Sequence, residues 1–207
     1  MALNRVLLLA LLCSAAFSQN LTFGGTPAVT NTSSSDACAS LHIIVVRASL
    51  EPPSQGVIGT LATLITAANP GSTVEWIAYP ATLSNYAQSS YAGVEATTQR
   101  LMNYTDACAG SQVVLLGYSQ GAHVIGDVMC GGGEAAGLGP YSPPLAQNYS
   151  ASVIAMIQMG DPRFVVNKTF DVGTAMQDGV SFGCCGTAER WRWTVLADDA
   201  IDLSEAG

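Results

Sequence analysis

Nine residues, Val113-Val114-Leu115-Leu116-Gly117-Tyr118-Ser119-Gln120-Gly121, join a short apolar run to the pattern Gly-x-Ser-x-Gly. The β-branched and leucine residues are typical of a buried strand, and the residues from Gln120 to Met129 can form a helix. Glycines two positions before and after the serine allow the strand and the helix to approach closely without a Cβ clash. This context favours a nucleophile elbow centred on Ser119 over a plain Gly-Ser turn.

Strands and helices alternate along the rest of the chain, without an internal repeat. Besides the elbow strand, apolar β-branched runs predict strands at Leu41 to Arg47, Val74 to Tyr79, Ser152 to Met159 and Trp191 to Leu196. Helical spacing predicts helices at Gly56 to Ala68, Tyr91 to Tyr104 and Gln120 to Met129, and Cys130 to Tyr149 is a predicted Gly/Pro-rich loop. Such alternation predicts a parallel, doubly wound sheet. Reactive groups of such sheets gather at the carboxyl ends of the strands.

The N-terminus has the pattern of a secretory signal. Arg5 is followed by an apolar run and by the small-x-small sequence Ala16-Phe17-Ser18. We therefore divide the chain into a signal peptide (1–18), a Ser/Thr/Asn-rich lead-in (19–37) and one domain (38–207), and expect a secreted, extracellular protein. Acceptor triplets for N-glycosylation agree with secretion, and they begin at Asn31, Asn103, Asn148 and Asn167.

The composition limits the classes of partner. The formal net charge is −8, and Lys168 is the only lysine. An acidic surface with few cations argues against binding to nucleic acid or to anionic membranes. It suits a neutral substrate, such as a polysaccharide or a polyester.

Cysteine usage indicates disulfide bonds rather than a metal site. The sequence contains 6 cysteines, of which Cys13 lies in the signal peptide. The others have no metal-ligand spacing, and an exported chain is expected to oxidise them. Their number is odd, so one cysteine has no partner among them.

Four motifs together resemble the cutinase and acetylxylan esterase family. They are Gly117 to Gly121, Arg47-x-Ser49, Cys130-Gly131-Gly132-Gly133 and Met159-Gly160-Asp161-Pro162. The resemblance runs from about Cys38 to Cys185. It implies an α/β-hydrolase-like, three-layer α/β sandwich with a central, mainly parallel five-stranded sheet, and a small secreted serine esterase. The Cys-Gly-Gly-Gly motif is more similar to the acetylxylan esterases than to the enzymes that act on cutin.

The same resemblance implies roles for individual residues. Ser119 is the expected nucleophile, and the Gln120 amide is one half of the oxyanion hole. Ser49 is expected to supply the other half with its amide and hydroxyl, although a helix cap or a turn serine is an alternative for it. Two preorganised donors of this kind stabilise the negative charge of an acyl-transfer intermediate by several kcal/mol. The implied disulfide bonds join Cys38 with Cys108, and Cys130 with either Cys184 or Cys185.

The acid and the base are less well defined. Asp199 has about the family's spacing from Cys185, but Val195 and Asp202 stand where the family has a linked pair of cysteines. Asp198 and a solvated acidic tail are the alternatives. By resemblance, Asp161 belongs to a structural Gly-Asp-Pro turn.

The catalytic histidine of this fold follows the acid in the chain. The sequence has only His42 and His123, and neither has that position. We expect His42 to be a buried strand residue, and His123 to face away from the side on which a base approaches the serine.

We therefore expect a secreted esterase that lacks its last helix and its catalytic histidine because the C-terminus is truncated, either by a gene-model error or by a natural stop. The expected reaction is hydrolysis of acetyl esters of xylan through an acyl-enzyme on Ser119, by a monomer, with no cofactor or metal. Alternatives are a cutinase or another esterase of short aliphatic esters, a non-catalytic secreted scaffold, and an inert gene product.

Overall fold

The structure, a computed structural model, describes residues 38–133, 139–169, 171–179 and the strand at 194–197. Five parallel strands form one sheet in the order β2-β1-β3-β4-β5. The strands are β1 (Leu41–Val46), β2 (Thr73–Trp76), β3 (Gln112–Tyr118), β4 (Val153–Met159) and β5 (Thr194–Ala197). The helices are α1 (Gly59–Ala68), α2 (Tyr86–Ala107), α3 (Gln120–Cys130) and α4 (Gln147–Ser150). The predicted parallel five-stranded sheet is confirmed.

The apolar core lies on both faces of the sheet, because successive side chains of a strand point to opposite faces. On one face, Ile43 and Leu116 pack with the α1 residues Leu61 and Ile65. On the other face, Ile44 and Leu115 pack with residues of α2 and α3, among them Leu101, Val124 and Ile125. The sheet is therefore the middle layer of three, as the resemblance implies.

Two strand ends differ from the prediction, and a side chain explains the end of β2. β1 ends at Val46 and β2 ends at Trp76, before the predicted Arg47 and Tyr79. The Arg47 guanidinium turns inward and donates to the carbonyls of Ile77 (3.2 Å) and Tyr79 (2.7 Å). Because these carbonyls accept hydrogen bonds from a side chain, the pairing of β2 with its neighbouring strand stops before them.

The helices also differ from their predicted limits. α2 begins at Tyr86 and ends at Ala107, longer at both ends than predicted, whereas α1 begins only at Gly59. α4 is a single turn inside the predicted loop between Cys130 and Tyr149. Among the described residues, no helix combines the length and the apolar character needed to cross a membrane.

One predicted disulfide bond is present. Cys38, before β1, is bonded to Cys108 at the end of α2, with a Cα–Cα distance of 5.3 Å. Cys130, the last residue of α3, is also disulfide-bonded. The two residues proposed as its partner, Cys184 and Cys185, lie outside the described residues.

Candidate active site

Ser119 lies in the turn between β3 and α3, with φ 51° and ψ −116°. Non-glycine residues rarely adopt a positive φ, and such strain is typical of functional sites. The Ser119 amide donates to the carbonyl of Met159 at the end of β4 (2.8 Å), and the Ser119 carbonyl accepts the amide of His123 (3.1 Å). The neighbouring strand and the first turn of α3 therefore hold the strained residue in place.

The glycines of the motif allow backbone segments to approach each other. A Cβ atom on Gly117 would lie 2.5 Å from the carbonyl oxygen of Gly121. A Cβ atom on Gly121 would lie 2.0 Å from the carbonyl oxygen of Val46, on β1. Both positions exclude any side chain, which is the close approach that the sequence predicts.

The side chain of Gln120 is fully buried and joins several segments around the serine. Its Oε1 accepts the hydroxyls of Ser49 and Ser89, each at 3.3 Å. Its Nε2 donates to the Ser90 hydroxyl (3.2 Å) and to the Thr82 carbonyl (3.3 Å). Gln120 also opens α3, so its backbone amide is one of those without an acceptor inside the helix. Such amides, at the positive end of the helix dipole, favour a developing negative charge.

Ser49 lies in the turn that follows β1, with its hydroxyl on Gln120. It is not a helix cap, since α1 begins ten residues later with Ile58 at the N-cap position. The structure thus brings Ser49 into contact with the side chain of Gln120, the residue that follows Ser119.

Arg47 and Glu51 brace this turn. The buried Arg47 side chain donates to the Glu51 carbonyl (2.9 Å) in addition to its two bonds near β2. The Glu51 carboxylate accepts the amides of Ala48 and Val57, each at 2.7 Å. The Tyr79 hydroxyl donates to the Arg47 carbonyl (2.7 Å), and burial raises the pKa of this phenol. The residues on both sides of Ser49 are therefore fixed by polar contacts of Arg47, Glu51 and Tyr79.

His123 is buried in α3, and neither ring nitrogen is available to the serine. Nδ1 lies 3.0 Å from the Tyr86 hydroxyl and Nε2 lies 3.1 Å from Oδ2 of Asp127. Burial raises the pKa of the Tyr86 phenol. The Asp127 carboxylate also pairs with the Arg163 guanidinium, so this side chain joins His123 to the segment after β4.

His42 is likewise a structural residue, at the start of β1. Its Nδ1 lies 2.8 Å from the Thr73 hydroxyl, and its Nε2 lies 2.8 Å from Oε1 of Glu75. The imidazole ring stacks on Tyr104, with 3.7 Å between the ring centroids. The two histidines of the sequence thus both have structural partners, as the sequence analysis expects.

Asp161 lies just after β4, and its contacts identify it as a turn residue. Its Oδ1 accepts the Arg163 amide (2.9 Å), and its Oδ2 accepts the Gln158 side-chain amide (3.0 Å). Burial raises its pKa to about 6, against the opposing effects of the hydrogen bond from the Arg163 amide and of the nearby His123 and Arg163. Gln158 also donates to the carbonyl of Ala122 (2.8 Å), so this turn is fastened to the first turn of α3.

The proposed acid lies outside the described residues. Asp199 and its alternative Asp198 follow β5, which ends at Ala197 and pairs with the end of β4. Within the described ranges, no group of three or more His, Cys, Asp or Glu side chains is placed to hold a metal ion.

Several residues of this region were not predicted. Glu51 accepts backbone amides in the turn that holds Ser49, and Tyr86, Asp127 and Arg163 make polar contacts with the elbow helix. The only local signal for them is the four-residue spacing of His123 and Asp127, which places both side chains on one face of a helix. The other partners are far apart in sequence.

A parallel sheet in three layers, with a strained serine between a central strand and a helix, defines a fold of the α/β-hydrolase type. The chain belongs to the cutinase family, since the family model described as Cutinase matches residues 37–189.

Relatives in this family include cutinases and acetylxylan esterases. Cutinase 11 of Verticillium dahliae is 34% identical over 151 residues, which are 69% of this chain and 51% of that protein. The acetylxylan esterase of Hypocrea jecorina is 33% identical over 179 residues, which are 83% of this chain and 58% of that protein. The chain thus spans little more than half the length of these two relatives.

Solved structures support the same assignment. The catalytic core domain of the acetyl xylan esterase from Trichoderma reesei superposes with a TM-score of 0.69 and 30% identity, over 79% of this chain and 85% of that one. A cutinase-like protein from Cryptococcus sp. has the same fold, with a TM-score of 0.56 and 23% identity, over 78% of each chain.

Proposed function

We propose that this protein is a serine esterase in which Ser119 forms an acyl-enzyme. The observation that carries the proposal is the strained Ser119 turn, with φ 51°, followed directly by Gln120, which opens α3 and whose side chain holds the Ser49 turn. A nucleophile and two sets of donors on one edge of the sheet are what acyl transfer requires.

In the proposed reaction, Ser119 Oγ attacks the ester carbonyl and its proton passes to a general base. The carbonyl oxygen becomes negatively charged and is stabilised by the Gln120 amide at the start of α3, together with donors of Ser49. Collapse of this intermediate releases the alcohol, and water then hydrolyses the acyl-enzyme. The proposed acid is Asp199, which orients a histidine base in enzymes of this kind.

Neither histidine of the 207-residue sequence is suited to be that base. His123 and His42 are buried, and both ring nitrogens of each have side-chain partners. We therefore propose that this polypeptide has little esterase activity without an added base. The loss of one member of a catalytic triad costs on the order of 10⁴–10⁶ in rate.

The proposed substrates are acetyl esters of plant cell-wall polysaccharide, with the chain acting as a secreted monomer. Support comes from the acetylxylan esterases among its relatives and from the Cys-Gly-Gly-Gly motif that ends α3. A cutinase relative of comparable identity supports a second candidate, an esterase of cutin or short aliphatic acids. A series of p-nitrophenyl acetate, butyrate and longer esters separates the two, because a narrow acyl site loses rate as the chain lengthens.

The decisive test is Ser119 acylation by p-nitrophenyl acetate in the presence of added imidazole, followed by peptide mass spectrometry. We expect an acetylated Ser119 peptide and a release of p-nitrophenol that exceeds the rate with imidazole alone, and we expect Ser119→Ala to abolish this excess. Ser40→Ala, a change at an exposed serine just before β1, is the matched control and should leave the rate unchanged. If wild type and Ser119→Ala release p-nitrophenol equally at every imidazole concentration, the esterase proposal fails and a non-catalytic scaffold is favoured.

A further inference from the structure

Left-handed backbone is concentrated around Gln120. Four non-glycine residues in the described part of the chain have a positive φ: Leu50 (65°), Ala81 (52°), Ser119 (51°) and Asn167 (66°). Ser119 is the elbow, and Leu50 directly follows Ser49. Ala81 directly precedes Thr82, whose carbonyl accepts Gln120 Nε2. Three of the four thus lie in segments that touch one buried side chain.

Leu50 and Ala81 are also joined to each other. The Leu50 amide donates to the Ala81 carbonyl at 2.8 Å. Three hydrogen bonds therefore link three segments to one another. The Ser49 hydroxyl donates to Gln120, the Leu50 amide donates to the Ala81 carbonyl, and Gln120 donates to the Thr82 carbonyl. We call the pair of left-handed residues and the hydrogen bond between them the clasp.

Side-chain packing does not explain the conformation of Leu50, since its side chain is 74% exposed. Leucine in left-handed backbone is costly, because its Cβ approaches the following carbonyl. The clasp hydrogen bond and the braced turn between Arg47 and Glu51 therefore impose this conformation. Strain of this kind persists only where the surrounding structure over-determines it.

We infer that Leu50 and Ala81 are positioning residues of the oxyanion hole: the clasp holds the Ser49 turn against Gln120 before substrate arrives. This inference rests on the proposed esterase function. A residue that is forced into one conformation cannot swing the Ser49 donors away, and preorganised donors stabilise an oxyanion better than mobile ones. The backbone of Leu50, rather than its exposed side chain, performs this role.

Three variants distinguish the effect of the Leu50 backbone conformation from the effect of the Leu50 side chain. Leu50→Gly permits the same positive φ without strain and also permits many others. Leu50→Asn removes the apolar side chain but favours left-handed backbone. Asn167→Gly relieves a positive φ in a turn outside the clasp and is the matched control. A melting temperature confirms that each variant is folded.

Two measurements are made on each variant. The first is deuterium uptake of the peptides containing Ser49 and Gln120. The second is the rate of Ser119 modification by a fluorophosphonate at a fixed imidazole concentration. For Leu50→Gly we expect uptake to rise several-fold and the rate to fall on the order of tenfold to hundredfold. For Leu50→Asn and for Asn167→Gly we expect the deuterium uptake and the modification rate to match those of wild type.

The inference is wrong if Leu50→Gly exchanges and reacts like wild type. It is also wrong if Leu50→Asn loses as much reactivity as Leu50→Gly, since the leucine side chain is then responsible. If wild-type Ser119 does not react at all, the proposed function fails, and the exchange data alone still decide whether the clasp holds Ser49 and Gln120.

Discussion

Single residues around Ser119 show how closely the backbone segments approach each other. Gly117 and Gly121 leave no space for a Cβ atom, and the atoms in the way belong to main chain, which cannot move aside cheaply. At Gly126, by contrast, an added Cβ atom meets only the end of the Gln158 side chain, at 3.0 Å. Gly121 and Gly126 lie on the same helix, but their different surroundings predict different responses to alanine.

We predict that Gly121→Ala destabilises the protein by about 2–3 kcal/mol, because the added methyl group overlaps the Val46 carbonyl. Gly126→Ala should change the stability by no more than about 1 kcal/mol, since the Gln158 amide needs to shift only slightly and alanine favours a helix. Urea unfolding of both variants checks this. Equal stability of the two variants would contradict the close approach of α3 to β1.

A second prediction at this scale concerns Asp161. Burial raises its pKa to about 6, so the folded state favours the protonated carboxyl. Stability from this group is fully present below the unfolded pKa of about 4 and is lost as the pH rises through about 6. The unfolding free energy of wild type should therefore fall relative to that of Asp161→Asn between about pH 4 and pH 7. Glu95→Gln, a change on the exposed face of α2, is the control and should run parallel to wild type.

Among the secondary-structure elements, the elbow helix α3 is fastened by a buried ion pair. Asp127 on α3 pairs with Arg163 in the segment after β4, and the two side chains are 4% and 5% exposed. Glu75 and Arg100 form a second pair, but the Arg100 side chain is 49% exposed. The two pairs therefore differ in the stability that is lost when one partner is removed. Water screens the charges of an exposed pair and solvates the charge that is left, but it cannot reach a charge left in a buried pair.

We predict that Asp127→Asn costs about 3–5 kcal/mol, because the buried Arg163 guanidinium loses the carboxylate with which it pairs. Adding Arg163→Met removes that charge and should recover most of the loss. Arg100→Gln should cost no more than about 1 kcal/mol. Chemical denaturation of these variants and of wild type gives the differences. A double variant that is as unstable as Asp127→Asn would show that the charge is not the cause.

How far the sequence predicts these elements depends on the range of the interactions involved. β1 and β3 are evident because buried parallel strands are continuous apolar runs, and the elbow follows from its local pattern. The end of β2 is not evident, since the carbonyls that follow it accept hydrogen bonds from Arg47, 30 and 32 positions away in the sequence. The contacts of His123 with Tyr86, and of Asp127 with Arg163, likewise join residues 37 and 36 positions apart.

For the whole molecule, the sheet order explains why the site residues meet. β1 and β4 flank β3, so the turn with Ser49 and the turn with Asp161 lie on either side of the Ser119 elbow. The opposite end of the strands carries the Cys38–Cys108 bond, which ties the start of β1 to the end of α2. Removal of this disulfide bond is therefore expected to lower the stability without disturbing the site at the other end of the strands.

We predict that the double variant Cys38→Ser/Cys108→Ser is less stable by about 4 kcal/mol. The disulfide bond joins residues 70 positions apart. A cross-link that closes a loop of this length lowers the conformational entropy of the unfolded chain, which stabilises the folded protein by about that free energy. Reactivity of Ser119 should be retained below the melting temperature, because the bond lies at the end of the sheet remote from the elbow. Thermal unfolding tests the expected loss of stability, and Ser119 labelling of the same samples tests the expected retention of reactivity. Loss of labelling in a variant that is still folded would show that the amino end of the sheet positions the nucleophile, contrary to the arrangement of the strands.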